Sequence, residues 1–387
     1  MITGGVDMEK KRGDTLRARA AKKLYAERVM KDLNQSDLAE RVGTKKSNIS
    51  RIESGKQNIT VDYLEILADA LDKDVVLELR DREVRYGSKN VYCLKIFDDE
   101  LMRFSMERKD GDVSVSVISV NEDLKHLFPL DLDATEAGVL RWLRRRVIPG
   151  NRELVERILS ALDVEPGDIK GIIDVCLGLS LNDCYWVVPE DLTGLFSEYN
   201  LYENEFNEAL SLIAYAGYGR VPDRFVTTPE LTTGGMLRKA WRNRGDDGIW
   251  LYKSGTSGFA NAGNEPYSEY YACQVAEQMG LDAVHYELEN WHHILASKCR
   301  LFTDIETSFV PIGSIVTEGG IDRVIDCYRE LGDGFYQALA SMLVFDAIVV
   351  NEDRHFGNFG LLRTTAQVRS SRLRPSSTTA TPCFAGR

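Results

Sequence analysis

The apolar positions of the first eighty residues recur at helical spacing. "LNQSDLAERV" sets Leu38, Ala39 and Val42 on one face, Ile49 and Ile52 follow in "GTKKSNISRIESG", and Leu64, Leu67, Ala68 and Leu71 continue the pattern. Asn34 is placed as a helix N-cap, Gly43 breaks the chain between two helices, and Gly55 falls just past the next, where positive φ is needed. Short amphipathic helices with that break predict an all-α helix-turn-helix domain over residues 14–80.

From Val91 the rhythm changes to alternation. "VYCLKIF", "LMRFSMER" and "VSVSVISV" read as strands of an antiparallel meander, with Asp110-Gly111 as a hairpin turn. After Pro129, "TEAGVLRWLRRRVIP" and "NRELVERILSAL" return to helical spacing, as does the stretch from Asn204 to Ala214. Arg144 to Arg146 read as a solvated helix face, with a contact patch as the other reading. Further on, "GIWLYKSG" is a strand with one lysine and "EPYSEYYACQVAEQMG" an amphipathic helix. The fold class expected is α+β and multidomain.

Charge sharpens this division. The chain of 387 residues has net charge −12, yet residues 1–60 hold 14 Lys+Arg against 8 Asp+Glu, leaving 34 against 52 for the remainder. A basic end on an acidic body points to an anionic partner held locally. The N-terminus is charged where a signal peptide needs an apolar run, and the longest apolar stretch, Ala338 to Val350, is short and contains Asp346, so a cytoplasmic protein with no membrane partner is expected. The seven cysteines include no CxxC pair and none at zinc-ligand spacing with a histidine, and read as reduced buried thiols.

Over about residues 14–78 the chain resembles the Cro/C1-type (XRE) helix-turn-helix family, the run "GTKKSNISRIESG" being the specific part. The resemblance implies a double-stranded DNA operator, with Gln35 on a backbone phosphate and Lys46, Ser47 and Arg51 facing base edges. Arg51 suits bidentate contact with guanine, and Lys46 reaches either a base or a phosphate; a solvated basic helix is the plainer reading of the same residues. Lys45 stands where the family usually has a Ser or Thr cap. Lys22, Lys23 and Arg28 are expected to add nonspecific phosphate attraction, and a homodimer would match a two-fold operator.

Four features then come in order: the pair Gly234-Gly235, Lys253 in its strand, Glu269 in its helix, and "NEDRHFGNFG". Singly these are a turn, an edge lysine, a helix-dipole acid and a loop cap. In this order they match the needs of phosphoryl transfer, and the Asp353 to Asn358 interval equals that of a kinase catalytic loop, while no Walker A motif is present. Over about residues 88–363 the chain resembles the HipA-like serine/threonine kinases of bacterial HipA/HipB toxin-antitoxin systems, through Asp353, Arg354, His355 and Asn358 and the neighbourhood of "GLSLNDCYW". The resemblance implies ATP and Mg²⁺ as cofactors, Gly234, Gly235, Lys253 and Glu269 at the nucleotide, Asp353 as base and Asn358 on the metal, with His355 structural or positioning. It divides the body into a HipA-like N-terminal and middle region, 88–225, and a partial α/β kinase domain, 226–363. A repressor joined to such a kinase implies a self-repressing transcription regulator with a protein substrate, acting as a homodimer or with a partner antitoxin; the alternative is a DNA-binding regulator with an inactive, truncated kinase-like domain.

The stretch from Thr364 to Arg387 has no Asp or Glu and one aromatic, Phe384, so it cannot supply the further metal-binding Asp that the family carries. It is expected to be out of frame: a one-base shift at the codon of Thr364 allows an apolar run ending in an Asp where Thr378 stands. A genuine low-complexity tail is the other reading.

Overall fold

The computed structural model describes residues 16–75, 90–109, 112–219, 228–256 and 263–365. The chain forms two compact units, residues 1–84 with 156–166, and residues 85–155 with 167–387.

In the first unit, four helices, α1 (Leu16–Met30), α2 (Gln35–Arg41), α3 (Lys46–Glu53) and α4 (Val61–Asp69), enclose a core of Leu24, Leu38, Ala39, Ile49, Ile52, Leu67 and Leu71. The starts are set locally. Asn34 caps α2 in a reciprocal box with Asp37, and Thr60 Oγ1 accepts from the Tyr63 N–H to begin α4. Gly43 and Gly55 both take positive φ, as the turns on either side of α3 require. Arg28 lies inside this unit, bidentate to Glu53 at 2.6 and 3.0 Å and donating to the Leu33 carbonyl at 2.6 Å.

The second unit opens with β1 (Val91–Ile96), β2 (Asp99–Lys109) and β3 (Asp112–Val120), the expected meander, whose Asp110-Gly111 turn lies outside the described residues. Helices α5 (Glu136–Arg145), α6 (Val155–Ala161, mostly assigned to the first unit) and α7 (Ile169–Cys176) follow, and β4 (Tyr185–Pro189) completes an antiparallel sheet of order β3-β2-β1-β4. The Arg144 to Arg146 run is not one solvated face. Arg146 is buried, lies over the Trp142 ring and bonds Asp183 bidentately, because the helix turns it onto the sheet; Arg145 pairs with Asp131 at 2.8 Å.

After α8 (Glu208–Ala216) come β5 (Lys239–Asn243), β6 (Ile249–Ser254), α9 (Glu265–Gln278), β7 (Tyr286–Trp291) and β8 (Ile294–Arg300). The strands form a second antiparallel sheet, β5-β6-β8-β7, with α9 packed on it. A ribbon of β9 (Thr307–Pro311) and β10 (Gly360–Thr364) and two helices, α10 (Gly320–Leu331) and α11 (Asp333–Ile348), share a core that includes Val324, Tyr328, Leu339, Met342 and Phe359. Thr364 is therefore the last residue of a paired strand, and the Thr365 N–H donates to the Glu306 carbonyl at 2.7 Å. The out-of-frame expectation covers residues 364–387, of which 366–387 lie outside the described residues. Among the described residues no helix is long and apolar enough to cross a membrane.

A fully buried ion pair helps join the middle region to the second sheet. Arg152 and Glu230, both with 0% side-chain exposure, meet at 2.9 Å, and Arg152 also donates to the carbonyls of Glu230, Thr233 and Lys239. Burial pushes the Glu230 carboxyl up and the Arg152 guanidinium down from their ordinary values, and their mutual attraction opposes both shifts. Glu230→Gln keeps the shape but strands the Arg152 charge, so urea unfolding should show a loss of about 3–5 kcal/mol; a loss within about 1 kcal/mol would show that the pair does not hold this junction.

Candidate functional site

The first candidate surface is α3. Ile49 and Ile52 turn into the core, which leaves Lys46, Ser47, Ser50 and Arg51 exposed on the other face. Lys45 makes no side-chain cap, and Lys45, Lys46, Arg51 and Lys56 form no ion pair with another described residue. Gln35 at the start of α2 is partly buried and donates through Nε2 to Glu53 at 2.8 Å, so it is oriented by the Arg28–Glu53 pair. Arg28 is thereby removed from the surface attraction expected of it: it is 7% exposed and spent on Glu53. Lys22 and Lys23 face Glu165 and Glu27, which offset their charge.

The second candidate surface is built on β6. Lys253 is buried there, and its Nζ donates to Glu269 Oε1 at 2.6 Å and to the Tyr286 hydroxyl at 3.0 Å. Ser297, opposite Lys253 on β8, donates to the other Glu269 oxygen. Glu269 is therefore a buried carboxylate held by partners from two strands, beyond a first-turn acid favoured by the helix dipole. Glu265, one turn earlier, accepts from the N–H groups of Thr256 and Gly263, closing the chain between β6 and α9.

Lys239 was not legible as a site residue. It sits directly across from Lys253 in the β5–β6 register, so both side chains share one face of the sheet. Its Nζ donates to the Gly234 carbonyl at 2.9 Å, and the Gly pair wraps around it: Gly235 has φ 83°, and a Cβ there would stand 2.3 Å from that nitrogen. Half-buried, and repelled by Lys253 and Arg152, Lys239 has its pKa brought down to about 7, burial being the larger cause.

The loop from Asn351 to Asn358 hangs from α11. Buried Asp346 receives both Arg354 nitrogens, Nε and Nη2, at 2.8 Å, and the Asn351 amide at the same distance. Asn351 Oδ1 in turn accepts the Asp353 N–H, and Asn358 Nδ2 donates to the Asp353 carbonyl at 2.9 Å. Asp353 and Asn358 are thus brought together by the loop's own bonds, while exposed His355 accepts the Gly357 N–H within the turn. Val350, at the loop's entry, holds φ 55°, a left-handed value that is costly for a β-branched residue. Phe345, next to Asp346, packs in one cluster with Cys273, Ala276 and Tyr286, so α11 ties the loop to the elements that carry Lys253 and Glu269.

Cys273, one turn past Glu269, lies close to His285 although they are distant in sequence. Cys273 and His285 are not at zinc-ligand spacing along the chain, and local spacing misses partners joined through a helix-to-strand connection.

A family model described as helix-turn-helix matches residues 24–77, and the first unit is a helix-turn-helix domain. No curated protein matches the chain. Among the solved structures that match is the Shewanella oneidensis MR-1 toxin-antitoxin system HipA, HipB and its operator DNA complex, at 13% identity and TM-score 0.48, covering 76% of this chain and 75% of that one. Another is the Helicobacter pylori proinflammatory kinase CtkA, at 21% identity and TM-score 0.28, covering 33% of this chain and 49% of that one. Likenesses this distant assign no activity.

The depressed lysine gives a signed expectation. Between about pH 7 and the ordinary lysine value of 10.5 the folded state binds fewer protons than the unfolded chain, so Lys239 makes stability rise with pH across that window. Urea midpoints measured from neutral to alkaline pH should rise less steeply in Lys239→Met than in the parent. Equal slopes in the two proteins would contradict the assignment.

Proposed function

We propose that the protein is a DNA-binding regulator whose second unit binds ATP and carries a phosphoryl-transfer site of the HipA-like kinase kind. The observation that supports it most is the buried Lys253–Glu269 pair, because a strand lysine held by a helix carboxylate is the arrangement that receives nucleotide phosphates. Lys239 adds a second amine on the same face, which an incoming anion would keep protonated, so two lysines beside one Glu269 carboxylate favour an anion. These residues fit the phosphates of ATP.

Asn358 offers an amide oxygen suited to Mg²⁺, which when bound would neutralise charge on the transferred phosphate. Asp353 takes the proton of the acceptor hydroxyl, and Asn358 is oriented by the Asp353 carbonyl. The Arg354–Asp346 pair keeps the loop in place, and Lys253 holds phosphate oxygens. The donor set also favours a second reading, a regulator with an inactive kinase-like body, since one amide with nucleotide phosphates binds Mg²⁺ weakly without a carboxylate ligand.

On the DNA side, α3 enters the major groove with Arg51 on a guanine and Lys46 on a base or phosphate, and Gln35 contacts the backbone through its remaining N–H. A two-fold operator would be met by two copies or by one copy with an antitoxin-type partner.

Sites selected from a random duplex library should bind the full chain in a salt-dependent manner. Arg51→Ala should cost about 1–3 kcal/mol and relax specificity at one base, whereas Gln35→Ala should weaken all sequences alike. Labelled ATP offered to the same protein should yield transfer that Asp353→Ala abolishes. Transfer unchanged in that variant would refute the kinase assignment, and its absence in both proteins would select the second reading.

A further inference from the structure

A set of groups outside the proposed nucleotide site has the composition and spacing of a metal centre. Cys273 and Glu277 are four residues apart on α9 and so share a helix face; Gly280, at φ 68°, helps reverse the chain after the helix, and His285 returns just before β7. Cys273 Sγ lies 3.6 Å from Glu277 Oε1 and 3.9 Å from His285 Nδ1, and His285 Nδ1 lies 2.5 Å from that same oxygen. A tetrahedral ion with metal–sulfur bonds of about 2.3 Å and metal–nitrogen bonds of about 2.05 Å would separate sulfur from nitrogen by about 3.5 Å. The two sulfur edges already stand near that value, and only the Glu277–His285 edge, on exposed side chains, has to open.

We propose that Cys273, Glu277 and His285 bind one Zn²⁺ ion, leaving a fourth position for water or another ligand. One thiolate, one imidazole and one carboxylate suit Zn²⁺ and do not suit Mg²⁺ or Ca²⁺, which take oxygen ligands. A supporting bond is in place: the Tyr286 N–H donates to Cys273 Sγ at 3.3 Å, as outer groups do when they orient a metal ligand. The buried sulfur forms the floor of the site while Glu277 and His285 open it to solvent, giving the ion an entry path. The ion would brace α9 against β7 beside Tyr286, whose hydroxyl accepts from Lys253. Metal occupancy would thereby stiffen the wall behind the Lys253–Glu269 pair.

The test uses full-length protein freed of metal with a chelator and titrated with Co²⁺ alone, then with Zn²⁺. One equivalent of Co²⁺ should produce a thiolate-to-cobalt charge-transfer band and tetrahedral visible bands, both removed by Zn²⁺. Cys273→Ser should abolish the charge-transfer band, and His285→Ala should weaken binding by more than the roughly tenfold to hundredfold cost of losing an outer-shell partner. Cys327→Ser, at a half-buried thiol elsewhere, should change neither. The proposal falls if no such band forms, if the band survives Cys273→Ser, or if His285→Ala binds as tightly as the parent. Because His285 is exposed, its variant decides the matter even if Cys273→Ser fails to fold.

Discussion

The second unit depends on a charge taken out of water. Arg152 is buried with Glu230 against it and with three carbonyls accepting from its Nη1 and Nη2 groups. Those carbonyls belong to both ends of the segment that contains Gly234 and Gly235. The arginine therefore fixes where the glycine turn leaves the middle region and where β5 begins. With β5 placed, the antiparallel register sets Lys239 opposite Lys253. The positive face follows from the ion pair behind it.

The same division of labour recurs along the chain. Arg28 with Glu53, Arg146 with Asp183 and Arg354 with Asp346 are buried or nearly buried pairs that orient backbone or neighbouring side chains. The residues left for partners differ in kind. Lys46 and Arg51 form no ion pair with another described residue, and Lys239 gives up its proton readily in its surroundings. These buried pairs make the scaffold, while the proposed nucleotide face keeps Lys253 beside Glu269.

Much of this was legible where period and local chemistry suffice. Leu38, Ile49, Ile52 and Leu67 announced the first core, Asn34 its cap, and the alternation from Val91 the meander. Lys253 and Glu269 were found because their order along the chain follows the geometry of phosphate binding, and the structure bonds them directly. What escaped was long-range. A run of three arginines looks alike in sequence whether solvated or not, and only packing against Trp142 and Asp183 separates Arg146 from Arg144. Arg28 carried the same ambiguity. Lys239 became visible only through strand pairing, and Cys273 with His285 only through the turn from α9 into β7.

The most direct test of the central claim, that the face bearing Lys239 and Lys253 receives nucleotide phosphates, is calorimetric titration of the full chain with ATP, repeated with Lys253→Met and Lys239→Met. The account expects saturable binding that weakens in both variants, most in Lys253→Met, with helical content unchanged. Binding of equal strength in all three proteins, or none in the parent, would contradict it.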